Sequence, residues 1–225
     1  MKKLCFIEME GVLSPYLAYE PNGRKVRSFL EDLVNYCKEQ KVELFLISGH
    51  HENIAKKKMC DNSFHDFFDK NHFLCVNDSY ISKKGESDQK LHKDNLAKDP
   101  EFNDSYFKQV IIQDILSQKN LLPKDALLLS DDIWVDGYYT TRFSKIDFAI
   151  FERNVLDRGK PVERINGLAY FSLNIDSVKQ LLEKFPLTNN SSLDRHVFES
   201  MKKVLVGDNF ADAVKKGMMQ KLNKK

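Results

Sequence analysis

Two glutamates one residue apart, Glu8 and Glu10, stand at the end of the apolar run Leu4-Cys5-Phe6-Ile7, and Gly11 follows them. The run predicts a buried strand, and the glycine marks where the chain turns away. An acid at the carboxyl end of such a strand sits where open α/β sheets bind ligands; an edge strand with its polar side chains facing water is the plainer alternative. A second apolar run, Val42 to Ile47, ends in Ser48-Gly49-His50-His51. A strand, a small hydroxyl, a glycine and then a helix start make an anion-binding arrangement, because first-turn N–H groups have no intrahelical partner. Simple capping by Ser48 accounts for the same residues without a ligand. A third run, Ala126 to Leu129, ends in Ser130-Asp131-Asp132-Ile133-Trp134-Val135-Asp136-Gly137. Carboxylates gathered from these strand ends repel one another unless a cation neutralises them, and an oxygen-only donor set suits Mg²⁺. The expected ligands are Glu8, Glu10, Asp131, Asp132 and Asp136. Ser48, the backbone at Gly49 and a nearby lysine would then hold a phosphate.

These residues need elements to position them, and the spacing supplies them. Val26, Phe29, Leu30, Leu33, Val34 and Cys37 recur at helical intervals and predict an amphipathic helix of about four turns. Glu52 to Lys58 reads as a helix and Phe73 to Val76 as a short strand. Phe107, Val110, Ile111, Ile115 and Leu116 mark another helix. Ile146 to Phe151 and Leu168 to Phe171 are further strands, and a helix carrying Ile175, Val178, Leu181, Leu182 and Phe185 closes the body. Strands alternating with helices predict a Rossmann-like, doubly wound parallel sheet covered on both faces. Residues 1–187 form this α/β domain, with 82–104 a polar insertion or lid. The polar run Thr188-Asn189-Asn190-Ser191-Ser192 is the expected boundary before a helical tail at 188–225.

The three strand ends and their order resemble the haloacid dehalogenase-like (HAD) superfamily over roughly residues 3–185. Cys5 to Leu13 is similar to the first family motif, an apolar strand followed by Asp-x-Asp-Gly. Leu44 to Gly49 matches the second, a strand ending in Ser or Thr. Leu127 to Asp136 matches the fourth, with Ser130 where glycine is usual. For the third-motif lysine, Lys108 is preferred to Lys83 or Lys84, because it begins the helix before the fourth-motif strand. The resemblance implies a nucleophile at position 8 and a general acid and base at position 10, with Ser48 and Lys108 completing the catalytic set. Ser48, Gly49 and Lys108 would bind the phosphate. Here both aspartates are glutamates, which keeps the charge but puts each carboxylate roughly 1.3–1.5 Å further out. A displacement on the order of 1 Å can cost about 10²-fold in rate. The resemblance therefore implies either a Mg²⁺-dependent phosphohydrolase working through Glu8 or a catalytically inactive binding or protein-interaction module.

Composition narrows the partners. The chain has 225 residues, 42% hydrophobic, enough for one good-sized core. Residues 191–225 carry eight Lys/Arg against four Asp/Glu, a local +4, so the formal net +2 leaves residues 1–190 at −2. A mildly acidic body with a basic tail lacks the field that nucleic-acid binding needs. The tail is instead the place for a homo-oligomer contact or a protein partner. No apolar run reaches the length of a membrane span, and the start shows no signal-peptide cleavage pattern. Cys5, Cys37, Cys60 and Cys75 are scattered, which predicts reduced thiols and a cytoplasmic protein. Val204-Leu205-Val206-Gly207-Asp208-Asn209-Phe210-Ala211-Asp212 also spells the fourth-motif pattern, but too little chain follows for a strand and closing helix. His50, His51 and Trp134 are weaker candidates for contacts in the crevice.

Overall fold

Five consecutive buried residues, Leu4–Glu8, form strand β1, in the interior of the sheet. The computed structural model describes residues 1–13, 22–60, 67–69, 71–76, 85–87, 89–90, 94, 100–132, 136–137, 139–151, 164–165 and 168–183. The other strands are β2 (Glu43–Ser48), β3 (Phe73–Cys75), β4 (Ala126–Ser130), β5 (Asp147–Phe151), β6 (Arg164–Ile165) and β7 (Leu168–Phe171). The helices are α1 (Asn22–Glu39), α2 (Glu52–Cys60), α3 (Pro100–Gln118) and α4 (Ile175–Glu183). The sheet order is β3-β2-β1-β4-β5-β7-β6. Every neighbouring pair is parallel except β6 with β7, which is antiparallel. This is the doubly wound α/β architecture expected from the alternation of elements. The order reverses between β1 and β4, the switch point at which such sheets open a crevice.

Strand parity divides the core into two layers. Cys5 and Ile7 of β1, Leu44 and Leu46 of β2, and Leu127 and Leu129 of β4 pack with Phe29, Leu30 and Leu33 of α1 and Val178, Leu181 and Leu182 of α4. Leu4 and Phe6, Phe45 and Ile47, and Ala126 and Leu128 face the other way, onto Ile112 and Leu116 of α3. Apolar residues on both faces of each strand are what a sheet covered on both sides requires. Glu8 shares the parity of Leu4 and Phe6, so it points toward α3.

Four local features depart from the simple reading. The chain does not turn sharply at Gly11: Met9–Leu13 forms a single π-helical turn with Met9, Gly11, Val12 and Leu13 buried. A second such turn, Thr140–Ser144, precedes β5 and ends at Lys145 in the left-handed conformation, φ 57°. The two-residue β6 has no counterpart in the spacing of the sequence. Helix α3 begins at Pro100, inside the stretch expected as a polar insertion, and proline is well tolerated in a first helical turn because its missing N–H has no partner there. The tail, Lys83, Lys84, Trp134 and the 204–212 motif lie outside the described residues.

At the opposite end of the strands, Lys2 is buried, pairs with Asp147 at the start of β5, and donates to the Lys124 carbonyl at 2.5 Å. Cys5, Cys37 and Cys75 are buried thiols. Burial pushes the Cys37 thiol up to about 12 and the Cys5 thiol well above its usual range, so neither is a nucleophile. No helix among the described residues is long and apolar enough to cross a membrane.

Candidate active site

The parallel register that ends with Ile7 beside Leu129 carries Glu8 and Ser130 to adjacent positions on the same face. On the β2 side, Glu8 pairs with Ile47, so Ser48 projects one residue beyond it. Lys108 lies one helical turn before Ile112 and two before Leu116, on the stripe of α3 that covers this face. Parity, register and helical spacing therefore converge at the carboxyl ends of β1 and β4.

The centre is a buried cluster of Glu8, Lys108, Ser130 and Asp136, each 5% exposed or less. The Lys108 ammonium pairs with Glu8 Oε1 and lies 3.3 and 3.2 Å from Asp136 Oδ1 and Oδ2. Ser130 Oγ is 2.5 Å from Glu8 Oε2 and 2.7 Å from Asp136 Oδ2, and it accepts the Asp132 N–H at 3.2 Å. A hydroxyl has one proton to give, so between two carboxyl oxygens one bond must be donated by a carboxylic acid. Electrostatics agree with that count. Burial and then the Asp136 charge push Glu8 well above the usual carboxylate range, against the pull of Lys108. For Lys108, burial favours the neutral amine, but Asp136 and Glu8 outweigh it and hold the ammonium well above its usual range. The cluster thus holds one ammonium and a proton shared across its two acids.

Around this centre stands a half-buried rim. Glu10 Oε1 shares a hydrogen bond with Ser48 Oγ, which also accepts the His50 N–H at 3.1 Å. His50 Nε2 lies 3.9 Å from Glu10 Oε1 and 2.9 Å from Lys58 Nζ. An ammonium only donates, so Nε2 accepts and the ring is neutral with its proton on Nδ1. Burial first lowers the His50 pKa, and Lys58 adds to that against the pull of Glu10. Asp131 packs onto the first turn: a Cβ added to Gly11 would fall on its carboxylate. Asp136 is held from behind by Thr140, whose Oγ1 donates to the Asp136 carbonyl at 2.6 Å, and the Gly137 N–H donates to the Asp132 carbonyl at 3.1 Å. Ser144 donates to Gln109 at 2.6 Å and Gln113 to the Phe143 carbonyl at 2.8 Å, strapping this second turn to α3.

The structure therefore brings together Glu8, Glu10, Ser48, Lys108 and Asp136, with Asp131 and Asp132 beside them. Gly49 follows at the start of the α2 connection. Three further participants escape the sequence reading. Ser130 stands there only as a replacement for glycine, although β1–β4 register would have pointed it to Glu8. Gly11 reads as a turn rather than as the seat of Asp131, and Lys58 has no signal beyond its place in a lysine run.

The donor chemistry suits a hard divalent cation: the carboxylates of Glu8, Glu10, Asp131 and Asp136 stand at this edge with one buried ammonium, and Glu10, Asp131 and Asp132 are the half-buried acids of the group. Among the described residues, no three acidic, His or Cys side chains are already gathered around a cation position.

No family model matches the chain, and no curated protein matches it. The chain is similar in structure to haloacid dehalogenase-like hydrolases. One from Bacillus subtilis superposes with a TM-score of 0.47 at 13% identity, over 82% of this chain and 91% of that one. A haloacid dehalogenase-like protein of unknown function from Agrobacterium tumefaciens gives 0.36 at 11% identity, over 90% and 100%. The cobalt-bound deoxy-D-mannose-octulosonate 8-phosphate phosphatase of Haemophilus influenzae gives 0.38 at 12% identity, over 97% and 96%.

Proposed function

We propose that the chain is a phosphohydrolase-type protein of HAD character, acting on a small phosphorylated molecule at the crevice between β1, β2 and β4. The observation that carries this reading is the burial of Glu8, Lys108 and Asp136 together at the switch point. Buried charges are costly, and a cluster of perturbed acids and bases in such a crevice marks a functional site more often than a structural one.

In this reading the proton shared by the two buried acids rests on Asp136, and the Glu8 carboxylate attacks phosphorus, forming an acyl-phosphate as the P–O bond to the leaving group breaks. Glu10 gives its proton to the departing oxygen and then takes one from the water that releases inorganic phosphate, restoring both carboxyl groups. Ser48 orients Glu10 through their hydrogen bond, and Ser48 with the Gly49 backbone faces the phosphoryl oxygens. Lys108 holds Glu8 in place and offsets its charge as the phosphate arrives. A divalent cation, Mg²⁺ in the simplest case, would be held by Glu10, Asp131 and Asp132 with Glu8 and Asp136 behind them, and would neutralise phosphate charge. Residues 191–225 are where we place a protein partner or a second copy of the chain, in a cytoplasmic setting.

A second reading, ligand binding without turnover, is favoured by one observation: both Glu8 oxygens are already engaged, by Lys108 and by Ser130. A phosphomonoester assay with Mg²⁺ separates the two. Turnover by the wild type that disappears in Glu8→Gln supports the hydrolase. An inert wild type that gains turnover as the Glu8→Asp, Glu10→Asp double variant supports the binding module.

A further inference from the structure

Two of the three places where this site departs from the pattern it resembles, glutamate at 8 and serine at 130, touch each other; the third, glutamate at 10, bonds to Ser48 instead. Glu8 and Ser130 come from strands that are far apart in sequence, and the β1–β4 register makes them neighbours. Glu8 Oε2 lies 2.5 Å from Ser130 Oγ, and both side chains are buried. A longer acid in this crevice has more torsional freedom and more ways to miss its target. A fixed partner for its second oxygen removes that freedom, while Lys108 takes the first oxygen.

We propose that Ser130 is the positioning residue for Glu8: its hydroxyl anchors the extra methylene's reach, so that the two residues work as a matched pair. Asp132 ties the anchor to the acidic loop, since its N–H donates to the same Oγ. The hydroxyl also contacts Asp136, so one atom sets the relative places of both buried acids. This assignment rests on the reading of Glu8 as the reacting group, but its structural half stands apart from any activity. An aspartate at this position is one methylene too short to reach the same hydroxyl.

Four proteins form the test: wild type, Ser130→Ala, Glu8→Asp and the double variant, each measured by thermal unfolding and by phosphomonoester turnover with Mg²⁺. The expected melting shifts are non-additive, with Ser130→Ala lowering the midpoint clearly in the wild-type background and much less in the Glu8→Asp background. If the wild type turns over, Ser130→Ala lowers kcat by about tenfold with KM within about twofold. In the Glu8→Asp background the same change alters kcat by less than about twofold, because the contact with the reacting acid is already gone. Ser130→Thr, which keeps the hydroxyl, restores most of the wild-type kcat, and Ser130→Cys supplies the melting comparison should the alanine variant fold poorly. Additive shifts in the melting cycle would overturn the pairing, whatever the activity. An inert wild type with a non-additive cycle would overturn the hydrolase reading and leave the pairing intact.

Discussion

The carboxylate of Asp131 fills the space that a Cβ on Gly11 would take. A glycine in the first turn and an acid after β4 are thus one unit, and the acid sits over the turn because nothing projects from it. Gly11→Ala forces the Asp131 side chain aside. The displaced atoms are the tip of a short side chain, so the fold tolerates the change within about 1 kcal/mol. The expected loss is in the site: Mg²⁺ affinity, read by isothermal calorimetry, falls about tenfold or more. Unchanged affinity would show that Asp131 has no part in holding a cation.

Lys108→Met should be costly for a different reason. It removes the ammonium between Glu8 and Asp136 and leaves two buried acids facing each other, a loss of about 3–5 kcal/mol at neutral pH by denaturant unfolding. Acidification should recover part of that loss, since protonation removes the repulsion. A variant as stable as the wild type at pH 7 would contradict the buried cluster.

The stability of the wild type should itself depend on pH through this cluster. Glu8 holds its proton more tightly in the folded chain than at its ordinary value of 4.5. Above that value the native chain carries more protons than the unfolded one, so this group's contribution declines as pH rises through the window up to the folded pKa. Lys108 acts in the same sense at alkaline pH. Its contribution is complete below its ordinary value of 10.5 and is lost as pH rises through the higher folded one. Glu8→Gln should remove the first decline and leave the second, as read from unfolding midpoints across the pH range.

Much of this was legible beforehand because simple periods encode it. The unbroken apolar run Leu4-Cys5-Phe6-Ile7 marked a buried strand, the helical spacing of Phe107, Val110, Ile111, Ile115 and Leu116 marked α3, and the place of Lys108 at that helix, ahead of β4, singled it out. What was not legible depends on register between distant strands or on geometry without a period. Ser130 finds Glu8 only once β1 and β4 are aligned. Gly11 and Asp131 meet across the crevice with no local signal. The turns at Met9–Leu13 and Thr140–Ser144 are single wide turns that no hydrophobic spacing announces, and β6 is too short to show an alternation.

The opposite end of the strands offers a control. Lys2 is fully buried and paired with Asp147, and burial lowers its pKa against the pull of that partner. Lys2→Met leaves Asp147 buried without the ammonium it pairs with and should cost about 3–5 kcal/mol, whereas Lys2→Met with Asp147→Leu should recover most of it. Phosphate-ester turnover per folded molecule should be unaffected in the double variant, because this pair lies at the other end of β1.

The central claim is that Glu8 takes a phosphoryl group. The direct measurement is acid quenching of the protein during turnover of a ³²P-labelled phosphomonoester with Mg²⁺, followed by peptide mapping. The account predicts label on the peptide containing Glu8, released by hydroxylamine and absent from Glu8→Gln. Turnover that persists in Glu8→Gln, or a wild type that neither turns over nor takes up label, would contradict it.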